Sequence, residues 1–243
     1  MNILFLGNSL IFYNELPLVF DNLLKSAGIS ANVQSVTKGS ATVSDFTDET
    51  TIVGGKALPL LKEQAWDYVI IEPSRRISPF ENSVKEAELA SAKTIRELAL
   101  SAGGDVVLYS VWGNNHGKAH EFHAETPIRM PKIATHPIER KAHTAFMQRI
   151  NTEFAAELQG VKVAEAGFAF ENLIATYPHI NPYHEDNRHP CLAGTYLVAC
   201  VLYATIFEKS VKDIPYTAEL PFVNELKEIA DATVLGGLVP DLS

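Results

Sequence analysis

Residues 2–10 read Asn2-Ile3-Leu4-Phe5-Leu6-Gly7-Asn8-Ser9-Leu10. An apolar run of this length, closed by Gly-Asn-Ser, fits a buried strand that ends in a tight turn. The segment that follows, Leu16 to Gly28, repeats apolar residues at helical spacing and stops at a glycine, as helices often do. Strand then helix recurs along the chain. Further strands are predicted at 31–36, 67–72, 105–111 and 161–166, and further helices over 84–104, 138–160, 190–207 and 222–237. That alternation is the pattern of a parallel sheet covered by helices on both faces, an α/β fold built as a three-layer α/β/α sandwich. No repeat or linker interrupts it, so residues 1–243 are expected to form one domain.

Composition narrows the function classes. With 47% hydrophobic and 20% charged residues, the chain reads as a folded globular protein. A formal net charge of −9 and the lack of a basic stripe argue against nucleic acid, because duplex affinity comes largely from Lys and Arg neutralising phosphates. The longest apolar stretch, Leu192 to Phe207, is shorter than the roughly 20 residues a membrane span requires and is expected to be a buried core helix. The apolar run at 2–7 is too short for the core of a signal peptide, so a cytoplasmic location is expected. Cys191 and Cys200 would sit roughly 180° apart around one helix and about 13 Å along it, which forbids a mutual disulfide and leaves them as small core residues.

In open α/β sheets the reactive groups gather where loops leave the carboxyl ends of the strands. Here those loops carry Gly7-Asn8-Ser9, Lys38-Gly39-Ser40, Glu72 to Arg76, and the stretch from Trp112 to Pro137, which is rich in Gly, Asn, His and Pro and long enough to be a lid or binding loop. A serine hydroxyl becomes a useful nucleophile when a base takes its proton and a third group orients that base. Asp186-Asn187-Arg188-His189 supplies both partners, a carboxylate three residues before an imidazole, in a polar loop ahead of an apolar helix. With Pro190 at the first helical position, His189 would lie at a helix N-terminus, where the dipole disfavours the protonated ring.

In this combination the chain resembles the SGNH hydrolases, also called GDSL esterases/lipases. The Gly-Asp-Ser-Leu block of that family, which holds its nucleophile after the first strand, is here Gly7-Asn8-Ser9-Leu10, and its Asp-x-x-His is Asp186 and His189, leading into His189-Pro190-Cys191-Leu192-Ala193-Gly194. The resemblance implies a five-stranded parallel sheet of flavodoxin-like order, a Ser9, His189, Asp186 triad, and Gly39 as the second-block glycine whose N–H helps form an oxyanion hole. A glycine suits that role because the oxyanion can approach its backbone closely. The third block, Gly-x-Asn-Asp after the third strand, is absent. In its place stands Glu72-Pro73-Ser74-Arg75-Arg76, where the Ser74 hydroxyl or an N–H of Arg75 or Arg76 is the candidate replacement for the missing donor. Gly113-Asn114-Asn115 looks similar to that block but follows the fourth strand, and is expected to be a solvated loop.

His116, His120 and His123 would share one face if their segment were helical, yet no His-Glu-x-x-His or cysteine ligand set accompanies them, so no metal is expected. His136, His143, His179 and His184 are expected to be surface or structural, with His184 a neighbour of Asp186. No cofactor is called for. The resemblance implies hydrolysis of carboxylic esters through an acyl-serine, with a small-molecule or carbohydrate ester as substrate, O-acetyl groups on a carbohydrate among them, and neither nucleic acid nor membrane as partner. The altered third block motivates an alternative, a catalytically weak SGNH-like protein that binds a ligand. A flavodoxin-like nucleotide binder ranks below both, because no strand end carries Gly-x-Gly-x-x-Gly or a P-loop.

Overall fold

The computed structural model describes residues 1–77, 82–115 and 139–243. Strands β1 (Asn2–Gly7), β2 (Asn32–Thr37), β3 (Tyr68–Ile71), β4 (Asp105–Tyr109) and β5 (Lys162–Ala164) form one parallel sheet in the order β2-β1-β3-β4-β5, the flavodoxin-like order. The order reverses between β1 and its neighbours, and the loops beside such a switch point are where open α/β sheets bind ligands.

Because successive side chains on a strand point to opposite faces, each strand serves two cores. Ile3, Phe5, Ile70, Val107 and Tyr109 pack against α2 (Leu16–Ser26), α6 (Ala166–Thr176), α7 (Leu192–Phe207) and α8 (Val223–Val234). Leu4, Leu6, Val69, Ile71, Val106 and Leu108 pack on the other side against α3 (Gly54–Glu63), α4 (Ser83–Ser101) and α5 (Arg140–Glu157). The three layers follow from that alternation. Each fully buried aliphatic or aromatic side chain contributes about 1.5–3 kcal/mol from leaving water, so both faces of β1, β3 and β4 are strongly specified.

Helix α7 is buried at every position from Gly194 to Ile206, which explains its uniformly apolar sequence. Among the described residues no helix is long and apolar enough to cross a membrane. Cys200 lies inside α7 while Cys191 caps its N-terminus, and both are free thiols.

The structure corrects several sequence expectations. Helix α7 begins at Leu192, so Pro190 is not its first residue; it forms an antiparallel bridge with Tyr183 instead. His189 therefore stands in a hairpin before the helix. Ser9 opens a four-residue helix, α1 (Ser9–Phe12), rather than lying in a plain turn. Two helices were not anticipated: α3, whose Gly54-Gly55 start and internal Pro59 disguise it, and α6, which begins at Ala166, the last residue of the strand predicted at 161–166.

Candidate active site

The segment from Gly7 to Asn14 builds one half of the site. Asn8 caps α1 by accepting a hydrogen bond on Oδ1 from the Leu10 N–H at 3.1 Å, which fixes the turn that presents Ser9. Its Nδ2 donates to Glu72 Oε1 at 3.0 Å and to the Ala41 carbonyl at 3.3 Å, joining the turn after β1 to those after β3 and β2. Asn14, at a φ of 50°, donates from Nδ2 to the Pro190 carbonyl and to Thr195 Oγ1, each at 2.9 Å. The segment bearing Ser9 is thus tied to the segment bearing His189.

A hairpin over residues 182–191 supplies the other half. It is closed by the Cys191 N–H donating to the Pro182 carbonyl at 2.9 Å, by the Tyr183–Pro190 bridge, and by the His184 N–H donating to the His189 carbonyl at 2.8 Å. At its tip Asp186 Oδ1 accepts from the backbone N–H groups of Arg188 and His189, both at 2.9 Å. Asp186 Oδ2 lies 2.5 Å from His189 Nδ1, and His189 Nε2 lies 2.8 Å from Ser9 Oγ. Ser9, His189 and Asp186 therefore form one continuous hydrogen-bonded chain.

Desolvation alone would raise the Asp186 carboxyl, but hydrogen bonds from the His189 ring and from two backbone N–H groups outweigh it and hold the group down at about 2. The carboxylate stays ionised at any ordinary pH. Its fixed Oδ2 orients the imidazole with Nδ1 toward itself, leaving Nε2 for the serine. Tyr13 stacks on a face of the His189 ring, centroids 4.2 Å apart and planes within 10°, and His184 meets Tyr13 edge-on at 5.5 Å. Tyr13 and Asn14 escaped the sequence reading, although both belong to the stretch that carries Ser9. Their only signal was proximity in sequence to a candidate nucleophile.

The Lys38–Ala41 turn reaches the site through the Lys38 N–H donating to the Gly7 carbonyl at 3.2 Å and through the Asn8–Ala41 bond. Gly39 is exposed, and a Cβ built on it would meet nothing within 4 Å. Among the described residues the backbone N–H groups of Ser9 and Gly39 donate to no protein acceptor. Ser74 is placed differently. It is buried, its N–H donates to Glu88 Oε2 at 2.7 Å, and its hydroxyl accepts from the Arg76 N–H at 3.0 Å, so it is engaged away from Ser9 and His189. Arg76 is partly exposed and makes no side-chain hydrogen bond among the described residues.

Two carboxylic acids lie beneath these loops. Burial pushes Glu72 up to about 8, against the Asn8 hydrogen bond and the Arg75 charge that favour ionisation. Burial likewise lifts Glu88 to about 7. Burial lowers Arg75 to about 10, and the charge of Arg188 adds to that effect.

The loop after β4 is not the solvated loop expected. Trp112 is buried and donates from Nε1 to the Arg188 carbonyl at 3.0 Å, the Gly113 carbonyl accepts from the Tyr183 hydroxyl at 2.8 Å, and the Asn115 N–H donates to the Asn187 carbonyl at 2.9 Å. Asn114 Oδ1 accepts from Arg75 Nη2. Trp112, Gly113 and Asn115 brace the hairpin while Asn114 holds Arg75, roles sequence reasoning missed because every partner is distant in the chain. His116, His120, His123 and His136 lie outside the described residues. Among the described residues no three His, Cys, Asp or Glu side chains gather as metal ligands.

No family model and no curated protein matches the sequence. Solved structures do. A protein described as a candidate SGNH hydrolase from Slackia heliotrinireducens is 25% identical, with a TM-score of 0.62 over 85% of this chain and 98% of that one. A DUF4886 family protein from Bacteroides uniformis is 14% identical, with a TM-score of 0.74 over 100% of this chain and 98% of that one. An acetylxylan esterase from Geobacillus stearothermophilus is 15% identical, with a TM-score of 0.52 over 84% and 93% of the two chains. With its five-stranded parallel sheet enclosed by helices, the chain has an SGNH hydrolase-like fold.

Proposed function

We propose that the chain acts as one catalytic domain, a serine hydrolase that cleaves carboxylic esters through an acyl-serine intermediate. The observation that carries this reading is the unbroken hydrogen-bonded chain from Ser9 Oγ through His189 to Asp186 at the carboxyl edge of the sheet. His189 Nε2 takes the Ser9 proton as Oγ attacks the ester carbonyl carbon, and the carbonyl π electrons move onto oxygen. The free N–H groups of Ser9 and Gly39 are the donors suited to that oxyanion. Collapse expels the alcohol, which leaves with the proton from His189. Water then attacks the acyl-serine with His189 again as base, releasing the acid and restoring Ser9. The acetylxylan esterase among the structural neighbours supports O-acetyl groups on a carbohydrate as the substrate class.

The burial of the Ser74 hydroxyl favours a second reading, a weakly catalytic ligand-binding protein, because loss of one oxyanion donor costs about 10²–10³ in rate. A fluorophosphonate that fails to label Ser9 in the folded protein would favour that reading. The direct test is turnover of p-nitrophenyl acetate by wild type and Ser9→Ala. A fall of about 10³-fold or more is expected, since a triad loses most of its effect when one member is removed. Equal rates would end the nucleophile assignment.

A further inference from the structure

Buried polar atoms without a partner collect beside the proposed nucleophile. Among the described residues, Arg75 Nε and Nη1, Arg188 Nε, Glu72 Oε2 and Tyr109 Oη are all buried and make no hydrogen bond. Natural proteins rarely leave such groups unsatisfied, and a cluster of them calls for an occupant. The cluster also has a sign. Arg75 and Arg76 follow β3, Arg188 stands at the tip of the hairpin next to His189, and none of the three takes part in an ion pair among the described residues. Arg140, by contrast, pairs with Glu171 at 3.0 Å.

The carboxylates nearby act on these arginines through space, Asp186 and Glu72 on Arg188 and Glu72 on Arg75, but among the described residues form no ion pair with them. Asp186 is committed to His189 and to two backbone N–H groups. Glu72 receives the Asn8 amide and is held largely protonated by burial near neutral pH. Arg75 is joined to the hairpin tip through Asn114, which accepts from its Nη2, and Asn115, whose N–H donates to the carbonyl of Asn187 beside Arg188; the charge of Arg188 acts on Arg75 and that of Arg76 on Arg188, so the arginines crowd one region instead of dispersing. That region adjoins the reacting atoms on both sides. Arg188 is the residue before His189, and Glu72 is bonded to the residue before Ser9. All three arginines are partly exposed, so the cluster opens to solvent.

We propose that Arg75, Arg76 and Arg188 form a subsite for a carboxylate carried by the ester substrate. The proposal rests on the esterase reading above. A guanidinium fork matches the planar carboxylate and forms paired charge-assisted hydrogen bonds with it. The enzyme would then act on esters of acidic molecules, such as acylated acidic sugars or half-esters of dicarboxylic acids, in preference to neutral ones.

The test compares two matched pairs of esters. p-Nitrophenyl hydrogen succinate against p-nitrophenyl butyrate places the carboxylate in the acyl part, and 3-acetoxybenzoate against phenyl acetate places it in the alcohol part. In wild type, at least one acidic ester is expected to exceed its neutral partner tenfold or more in kcat/KM after subtraction of each ester's own uncatalysed rate, which for the succinate includes attack by its own carboxylate. Arg76→Met and Arg188→Met should each reduce that acidic-to-neutral ratio at least tenfold. Binding of the same four esters to Ser9→Ala, by calorimetry, reads the subsite without turnover, and the same preference and its loss in the double variants are expected there. Absence of turnover on all four esters would sink the esterase reading while the binding series still decides the subsite. Acidic-to-neutral ratios near one in both series, or ratios unmoved by both arginine substitutions, would overturn the subsite.

Discussion

Asn8 uses both ends of its amide: Oδ1 accepts from the Leu10 N–H while Nδ2 donates to Glu72 and to the Ala41 carbonyl. A carboxylate at position 8, as in the Gly-Asp-Ser-Leu block, would have no donor to offer a buried Glu72 and would set two acids against each other. Position 8 and position 72 therefore make sense together. Glu72 also gives a pH signature. In the folded chain its pKa is about 8, raised from 4.5, so between those values the unfolded chain has lost the proton that the folded chain retains. Stability must then fall as pH rises from about 5 to 8, by at least about 1 kcal/mol, and level off above that. Glu88, raised to about 7, acts in the same direction over a narrower range. Glu72→Gln keeps an acceptor for Asn8 and abolishes the ionisation. Urea unfolding of this variant should lose much of the decline, and the residual slope from Glu88 should end near pH 7; an undiminished decline up to pH 8 would show that Glu72 is not its source. At this scale residue type and local spacing singled out Ser9, Asp186 and His189 as candidates, and the fold brings the three into one hydrogen-bonded chain. Tyr13, Trp112 and Asn115 were not legible, since stacking and bracing depend on contacts between segments that only the fold brings together.

At the scale of elements, the hairpin that bears Asp186 and His189 is positioned by close packing against the N-terminal turn of α7. Gly194 sits where a Cβ would fall 2.2 Å from the Pro182 carbonyl oxygen and 2.9 Å from Phe170 Cζ. The first neighbour is backbone and cannot rotate away. Pro182 is also the residue whose carbonyl closes the hairpin onto Cys191. Gly194→Ala is therefore expected to push the hairpin outward, costing about 1–3 kcal/mol of stability by overpacking and lowering kcat/KM on p-nitrophenyl acetate together with it. Unfolding midpoints and steady-state rates measured on the same preparation decide this; a variant as stable and as active as wild type would mean that the contact relaxes freely. Strands β1, β3 and β4 were readable because each is a short apolar run between turn formers, whereas β2 and β5 offered only valine or alanine set among polar residues. Helix α3 was hidden by Gly54, Gly55 and Pro59, which oppose helix formation locally, and its formation rests on burying Ala57, Leu58 and Leu61.

The whole molecule is two cores sharing one sheet. Ile3 and Phe5 belong to one core and Leu4 and Leu6 to the other, so neither core can be lost while β1 keeps its place. The two tryptophans divide between them: Trp112 is buried with Phe170 stacked on it in the core of α6 and α7, and Trp66 is buried in the core of α3 and α4. Each reports on one face. Trp66→Phe leaves Trp112 as sole fluorophore, and Trp112→Phe leaves Trp66. The shared strands require that in each variant the tryptophan fluorescence and the far-ultraviolet circular dichroism change at the same denaturant concentration. Each substitution also removes an indole hydrogen bond, from Trp112 Nε1 to the Arg188 carbonyl or from Trp66 Nε1 to the Leu60 carbonyl, so both variants will unfold earlier than wild type, but in each that displacement should move both signals together. Adding Leu6→Ala, which removes a side chain only from the core of α3 and α4, should cost about 2–5 kcal/mol and lower the midpoint reported by Trp112 as much as the one reported by Trp66. A Trp112 transition that stays in place while that of Trp66 moves would show that the two faces unfold separately, and that the hairpin bearing Asp186 and His189 draws its stability from one core alone.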